Sequence, residues 1–226
     1  LDIRFSDCSV KFKTHVALHP FSLALTERRI GIIGLNGSGK TTFAKLINGL
    51  VKPTSGTVTV NGLDTVKDAK AVLTTAGFIF QNPAQQLIMP QVMEDIVFGL
   101  KAHGCDAAEA ERRALAALSR FGIEALGPRR VHELSGGELQ LAAIASVSAT
   151  APAILIFDEP VNQLDLKNRA RVVEAIRALQ EDAIVISHDL PLIEDFERVL
   201  VFHEGRIAFD GAPAEAIARY REIAGC

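Results

Sequence analysis

The chain has few of the features that would place it outside the ordinary globular class. Cysteine is scarce: Cys8, Cys105 and Cys226 are odd in number, scattered, and show neither C-x-x-C nor metal-ligand spacing. That excludes a disulfide scaffold and a thiolate metal site, and the thiols read as buried or idle in a reducing compartment. No apolar run approaches the roughly 20 residues needed to cross a bilayer. The opening "LDIRFSDCSV" has no signal-peptide layout, so any membrane role is expected to come through a partner. A large excess of one charge is also missing: the net charge is −3, which argues against a dominant nucleic-acid surface. There is no internal repeat, low-complexity tract or long charge run. What is present is 226 residues, 48% of them hydrophobic, enough for one sizeable core with a subdomain inserted.

The N-terminal third reads as short strands. "LDIRFS", "SVKFK" and "FSLAL" alternate apolar and polar residues, as half-exposed antiparallel strands do. "RIGIIG" is continuously apolar, as a strand buried on both faces is. "KTTFAKLINGL" fits a helix closed by Gly49, "TVTV" a strand, and Asn61-Gly62 a tight turn. Residues 84–135 change character, with Ala, Glu, Arg and Leu at helical spacing, most clearly in "AAEAERRALAALSRFG". Strand signals return as "AILIFDEP", "AIVISHD" and "RVLVFHEGRIAFDG", alternating with helices near 167–180 and 213–223. That alternation predicts an α/β fold with a mainly parallel sheet covered by helices.

Between "RIGIIG" and the first helix lies "GLNGSGKTT", three glycines and a lysine in nine positions. Gly34, Gly39, Lys40 and Thr41 fill the pattern G-x-x-x-x-G-K-[ST], in which backbone N–H groups cradle phosphates at a helix N-terminus. Asn36, Gly37, Ser38, Gly39, Lys40, Thr41 and Thr42 are the candidate phosphate binders, with Lys40 at the β/γ-phosphates and the Thr41 hydroxyl on Mg²⁺. The plainer alternative is a glycine-rich turn with a surface lysine.

Asp158 and Glu159 close the apolar strand "AILIF", at the edge where open α/β sheets bind ligands. Alone they read equally as solvated strand-end charges. Beside a phosphate loop, Asp158 fits the carboxylate that holds the metal, and Glu159 a general base for an attacking water. Ser135-Gly136-Gly137 opens another helix, with Ser135 as cap and its end a second anion site. One chain then carries two phosphate-seeking helix ends, and the second is expected to serve the nucleotide of another copy. His188 and Gln81 sit at strand ends, able to touch a γ-phosphate oxygen and the Mg²⁺ or the attacking water. Each is a weak signal singly.

With these elements in this order, the chain resembles the ATP-binding-cassette ATPases over essentially its whole length. "GLNGSGKT" is similar to Walker A, Gln81 to the Q-loop glutamine, "LSGGE" to the signature, "ILIFDEP" to Walker B, "NQLD" with Asp165 to the D-loop, and His188 to the switch histidine. The resemblance implies an α/β P-loop core with an N-terminal antiparallel β-subdomain, at about 1–83 and 150–226, and a helical subdomain at about 84–149. It implies two ATPs held head to tail between two cassettes. Lys40, Thr41, Asp158 and Glu159 then act in cis, Ser135, Gly136, Gly137 and Glu138 on the opposite ATP, and Phe12 stacks on adenine. Three departures stand out: Glu138 where glutamine is usual, Leu141 where arginine is common, and Val161 where threonine is usual. None touches the metal, the base or the lysine, so hydrolysis is still expected.

The segment "QNPAQQLIMPQVMEDIVFGL" resembles the corresponding segment of energy-coupling-factor importers, and the chain resembles the ATPase of the biotin type most. That implies a second ATPase subunit, expected to be an identical copy, a transmembrane scaffold component and a substrate-binding membrane component, at the cytoplasmic face of the membrane. No nucleic-acid partner is implied. Asn82 caps and Pro83 opens a short helix in this reading. Leu87, Ile88 and Met89 then form either a partner-facing patch or core packing. A cobalt or nickel importer, a nucleotide-driven switch acting on a soluble partner, and a kinase remain as alternatives.

Overall fold

The computed structural model describes residues 1–225; Cys226 lies outside the described residues. The first strands, β1 (Ile3–Phe12) and β2 (His15–Leu25), form a long hairpin. The sequence suggests three strands here; "LDIRFS" and "SVKFK" are one strand, kinked where Asp7 takes a positive φ of 46° and the register shifts. A bulge of this kind bends a strand without ending it. Then follow β3 (Arg29–Gly34), α1 (Lys40–Ile47), β4 (Ser55–Val60), β5 (Leu63–Asp64), α2 (Ala69–Thr75) and β6 (Ala76–Ile79). Asn61 and Gly62 both have positive φ, as the tight turn between β4 and β5 requires.

A helical block comes next: α3 (Val92–Ala102), α4 (Ala107–Arg120) and α5 (Gly136–Ala149). On α4 the buried positions are Ala110, Ala114, Ala117 and Leu118, one face of an amphipathic helix, and Asp106 caps it by accepting from the Glu109 N–H at 2.9 Å. By contrast α5 is buried nearly all round, as a helix at the centre of a bundle must be. The chain then returns to β7 (Ile154–Asp158), α6 (Leu166–Arg177), β8 (Asp182–Ile186), α7 (Leu190–Ile193), β9 (Arg198–His203), β10 (Arg206–Gly211) and α8 (Pro213–Ala224).

Two sheets result. The smaller has the order β2-β1-β4-β5 and is antiparallel; the larger has the order β10-β9-β3-β8-β7-β6 and is parallel except for the β9–β10 edge. Both faces of the larger sheet are covered, which is why its strands read as unbroken apolar runs. Period two divides them. Ile154, Ile156, Ile184, Ile186, Leu200 and Phe202 face α1 and the antiparallel sheet, while Leu155, Phe157, Ala183, Val185, Val199 and Val201 face the other core.

Helix α1 is clamped between the sheets by Phe43. Its ring stacks on Phe5 at 4.8 Å and lies 5.0 Å from Phe202 and 5.8 Å from Phe21. Burying such a side chain is worth about 1.5–3 kcal/mol. It also fixes the helix whose first turn carries the glycine loop.

Candidate active site

The loop joins β3 to α1. At Gly34 the backbone has a φ of 151°, and a Cβ there would overlap the carbonyl oxygen of Phe202 on the neighbouring strand, so no side chain fits. Gly39, the residue before α1, is left-handed at φ 102°. Lys40 folds back over the loop, its Nζ donating to the carbonyls of Gly34 at 2.7 Å and Leu35 at 3.0 Å. It is buried. Burial pulls its pKa down, and the charges of Glu159 and Asp158 oppose that.

Asp158 ends β7 with both carboxylate oxygens 3.0 Å from the Thr41 hydroxyl. One residue on, Glu159 takes a left-handed φ of 53°. Such a conformation costs a non-glycine residue about 1–3 kcal/mol and persists where its surroundings impose it. Here the Glu159 N–H donates to Ile186 O on β8 at 2.9 Å, and its Oε2 accepts from the His188 N–H at 3.2 Å. His188 Nε2 stands 3.1 Å from Glu159 Oε1. The approach is out of line for a hydrogen bond, so Oε1 is shielded from solvent without a directed donor. The lone pairs of Oε1 therefore stay unused.

Burial raises both carboxyl pKa values. The Thr41 hydroxyl, Lys45 and Lys40 oppose it at Asp158; the His188 N–H and Lys40 oppose it at Glu159, where the Asp158 charge adds to the rise. Burial first, then the Lys40 charge, lowers the pKa of His188 and favours its neutral imidazole. Perturbed groups of this kind gathered in one cleft mark a functional site.

These residues line one cavity of about 540 Å³, together with Phe12, Asn36, Gly37, Ser38, Gly39, Thr42 and Gln81. Gln81 and His188 follow the C-terminal ends of β6 and β8, each two residues past the last strand position. Asn82 caps the short 3-10 helix Pro83–Gln85 by accepting from the Ala84 N–H. Three lining residues were missed in the sequence: His15, Ala17 and Asn162. The hairpin register would have found His15, because it pairs directly with Phe12 across a two-residue turn.

The second helix end does not join this cavity. Gly136 faces a neighbouring one of about 410 Å³ that shares Gln81 and Asn162 with the first. Ser135 caps α5 in a reciprocal box: Glu138 Oε2 accepts from the Ser135 N–H at 2.9 Å and from its hydroxyl at 2.7 Å. Ser135 chiefly, with help from Arg129, holds the Glu138 carboxyl below its ordinary range. A Cβ on Gly137 would collide with Asn168, which Asp165 binds at the start of α6. Leu141 and Val161 are buried, so both departures pack in the interior.

A family model described as ABC transporter matches residues 18–162. The chain belongs to the ABC transporter family. It is similar to the biotin transport ATP-binding protein BioM of Rhizobium etli, with 64% identity over 224 residues covering 99% of this chain and 100% of that one. Among solved structures of ABC proteins, it is similar to cbiO1 from Clostridium perfringens, part of the ABC transporter complex cbiONQ. That match has a TM-score of 0.85 and 28% identity, covering 99% of this chain and 93% of the other. The ABC cassette MJ0796, dimeric in a post-hydrolysis state bound to ADP and Pi, matches with a TM-score of 0.82 and 26% identity, covering 93% and 98%. This ABC chain is an ATPase.

Proposed function

We propose that the chain is the ATP-hydrolysing motor subunit of an energy-coupling-factor importer, with biotin as the transported solute. Two copies close on two ATPs at the cytoplasmic face of the membrane and move a transmembrane scaffold that works with a substrate-binding membrane component. The observation that carries the reading is the meeting of Lys40, Thr41, Asp158, Glu159 and His188 in one cavity, while the helix end led by Ser135 lies outside it. Biotin enters through the similarity to BioM; it would not touch this chain.

In this reading Phe12, about half exposed, stacks on adenine. The N–H groups of residues 36–42 hold the phosphates, and Lys40 exchanges its loop carbonyls for β/γ-phosphate oxygens. The Thr41 hydroxyl, the Asp158 carboxylate and the Gln81 amide oxygen form an all-oxygen donor set, which suits Mg²⁺. Bound there with ATP, the ion supplies neutralisation of phosphate charge. The free lone pairs of Glu159 Oε1 take a proton from the attacking water, which Gln81 orients. The oxygen attacks the γ-phosphorus as the bond to ADP breaks, and His188 donates to a γ-phosphate oxygen. Ser135, Gly136, Gly137 and Glu138 complete the other copy's site, and Asp165 shapes the contact between copies.

The membrane partner docks on the helical block, at about 84–149. Leu87 is buried in the core, Ile88 is 74% exposed and Met89 is intermediate, so the short apolar segment serves both roles. Ile88 joins Leu50, Leu73 and Phe98, each about half exposed, along a groove of about 300 Å³. Exposed apolar residues gathered in this way mark an interaction surface. No helix among the described residues is long and apolar enough to cross a membrane.

The test is Ile88→Asp in the intact transporter. The variant is expected to keep its ATPase activity in isolation, to lose co-purification with the membrane subunits, and to lose labelled-biotin uptake. Full uptake would remove the groove from the docking role, and uptake of a metal ion instead of biotin would reassign the solute.

A further inference from the structure

The C-terminal helix α8 reaches the active site through the chain's one tyrosine. Ala216 and Ile217 are buried and anchor the helix. Tyr220, three and four positions on, shares their face and packs partly buried against the core. Its hydroxyl stands 3.5 Å from Nδ1 of His188. The other ring nitrogen, Nε2, points into the cavity beside Glu159.

We propose that Tyr220 is a positioning residue for ATP hydrolysis: its hydroxyl donates to Nδ1 and so places the single imidazole proton on Nε2. A neutral imidazole carries one N–H, and the partner of one nitrogen decides which bears it. With Nδ1 held as acceptor, Nε2–H faces the γ-phosphate; with the proton on Nδ1, Nε2 would turn a lone pair toward an anion. The 3.5 Å separation is long, and contacts of this kind tighten as substrate draws the partners into line. Burial and Lys40 favour the neutral ring, the state in which the tautomer matters. Glu159, Asp158 and Lys40 share the cavity with the ring, and neighbouring Asp189 is engaged by Arg169.

The proposal rests on His188 as the γ-phosphate donor, so Tyr220→Phe is measured beside His188→Ala. Tyr220→Phe is expected to lower kcat about fivefold, as for one lost neutral hydrogen bond, with KM for ATP little changed. The deficit is expected to close as pH falls through the His188 titration, because the imidazolium carries protons on both nitrogens. The ratio of wild-type to variant rate cancels the loss that both suffer as Glu159 protonates. In nitrogen-15 spectra of the histidine-labelled full chain, wild type is expected to show the Nε2–H tautomer and Tyr220→Phe a mixture. A pH-independent rate ratio, or an Nδ1–H tautomer in wild type, overturns the role of Tyr220. Undiminished turnover in His188→Ala would instead overturn the reading of His188 on which it rests.

Discussion

As the proposed general base, Glu159 must be ionised to take a proton, yet it is held where ionisation is costly. Burial outweighs its opposing contacts and raises its carboxyl pKa, so the folded chain binds this proton more tightly than the unfolded chain does. The ionised group therefore subtracts from stability at neutral pH, and the loss disappears below the ordinary carboxylate range near 4. Glu159→Gln is expected to retain ATP binding and lose about 10²–10⁴-fold in kcat. It is also expected to raise Tm at pH 7, with the gain vanishing as pH falls below about 4. Steady-state phosphate release and thermal scans across pH measure the two effects. Normal turnover would remove Glu159 from the role of base, and an unchanged or lower Tm at pH 7 would show that the site stores no such strain. At this scale the sequence displayed Lys40, Thr41, Asp158, Glu159 and His188 because each sits at a strand end or loop tip. It did not display His15, Asn162 or Tyr220, whose places depend on a hairpin register, a turn, and a helix docked from far along the chain.

Among the elements, α5 has a start that faces two ways. Ser135 and Glu138 satisfy one another's backbone donors, which stabilises the helix, and Glu138 also accepts the Ser135 hydroxyl proton. In the proposed paired state, a phosphate arriving from another copy would have to draw that hydroxyl away from a carboxylate and approach a like charge. Glu138→Gln keeps an acceptor in the box and removes the charge. It is expected to lower the ATP concentration needed for pairing about two- to fivefold, the range for a single charge worth 0.3–1 kcal/mol at a helix end. The monomer should become slightly less stable. ATP titrations followed by light scattering measure the first effect, and an unchanged midpoint would show that the charge is not felt by the partner's nucleotide. Element types were legible where one face or both faces are buried: "RIGIIG" and α4 have patterns that burial alone dictates. Boundaries were less legible. The bulge at Asp7 joined two expected strands, and α2 went unread because only Val72 of its seven residues is buried, leaving no apolar stripe.

For the whole molecule, the order of motifs along the chain becomes two glycine-led helix ends that one copy does not bring into one cavity. The parallel sheet gathers the loop, the carboxylates and His188 at one edge, and the inserted helices carry Ser135 elsewhere. That separation follows from topology. The most direct test is sedimentation equilibrium of Glu159→Gln with saturating ATP and magnesium, alone and combined with Ser135→Arg. A dimer retaining two ATPs is expected for the first protein and an ATP-bound monomer for the second. An ATP-saturated Glu159→Gln that stays monomeric, or a double variant that pairs as well as the single one, would contradict it.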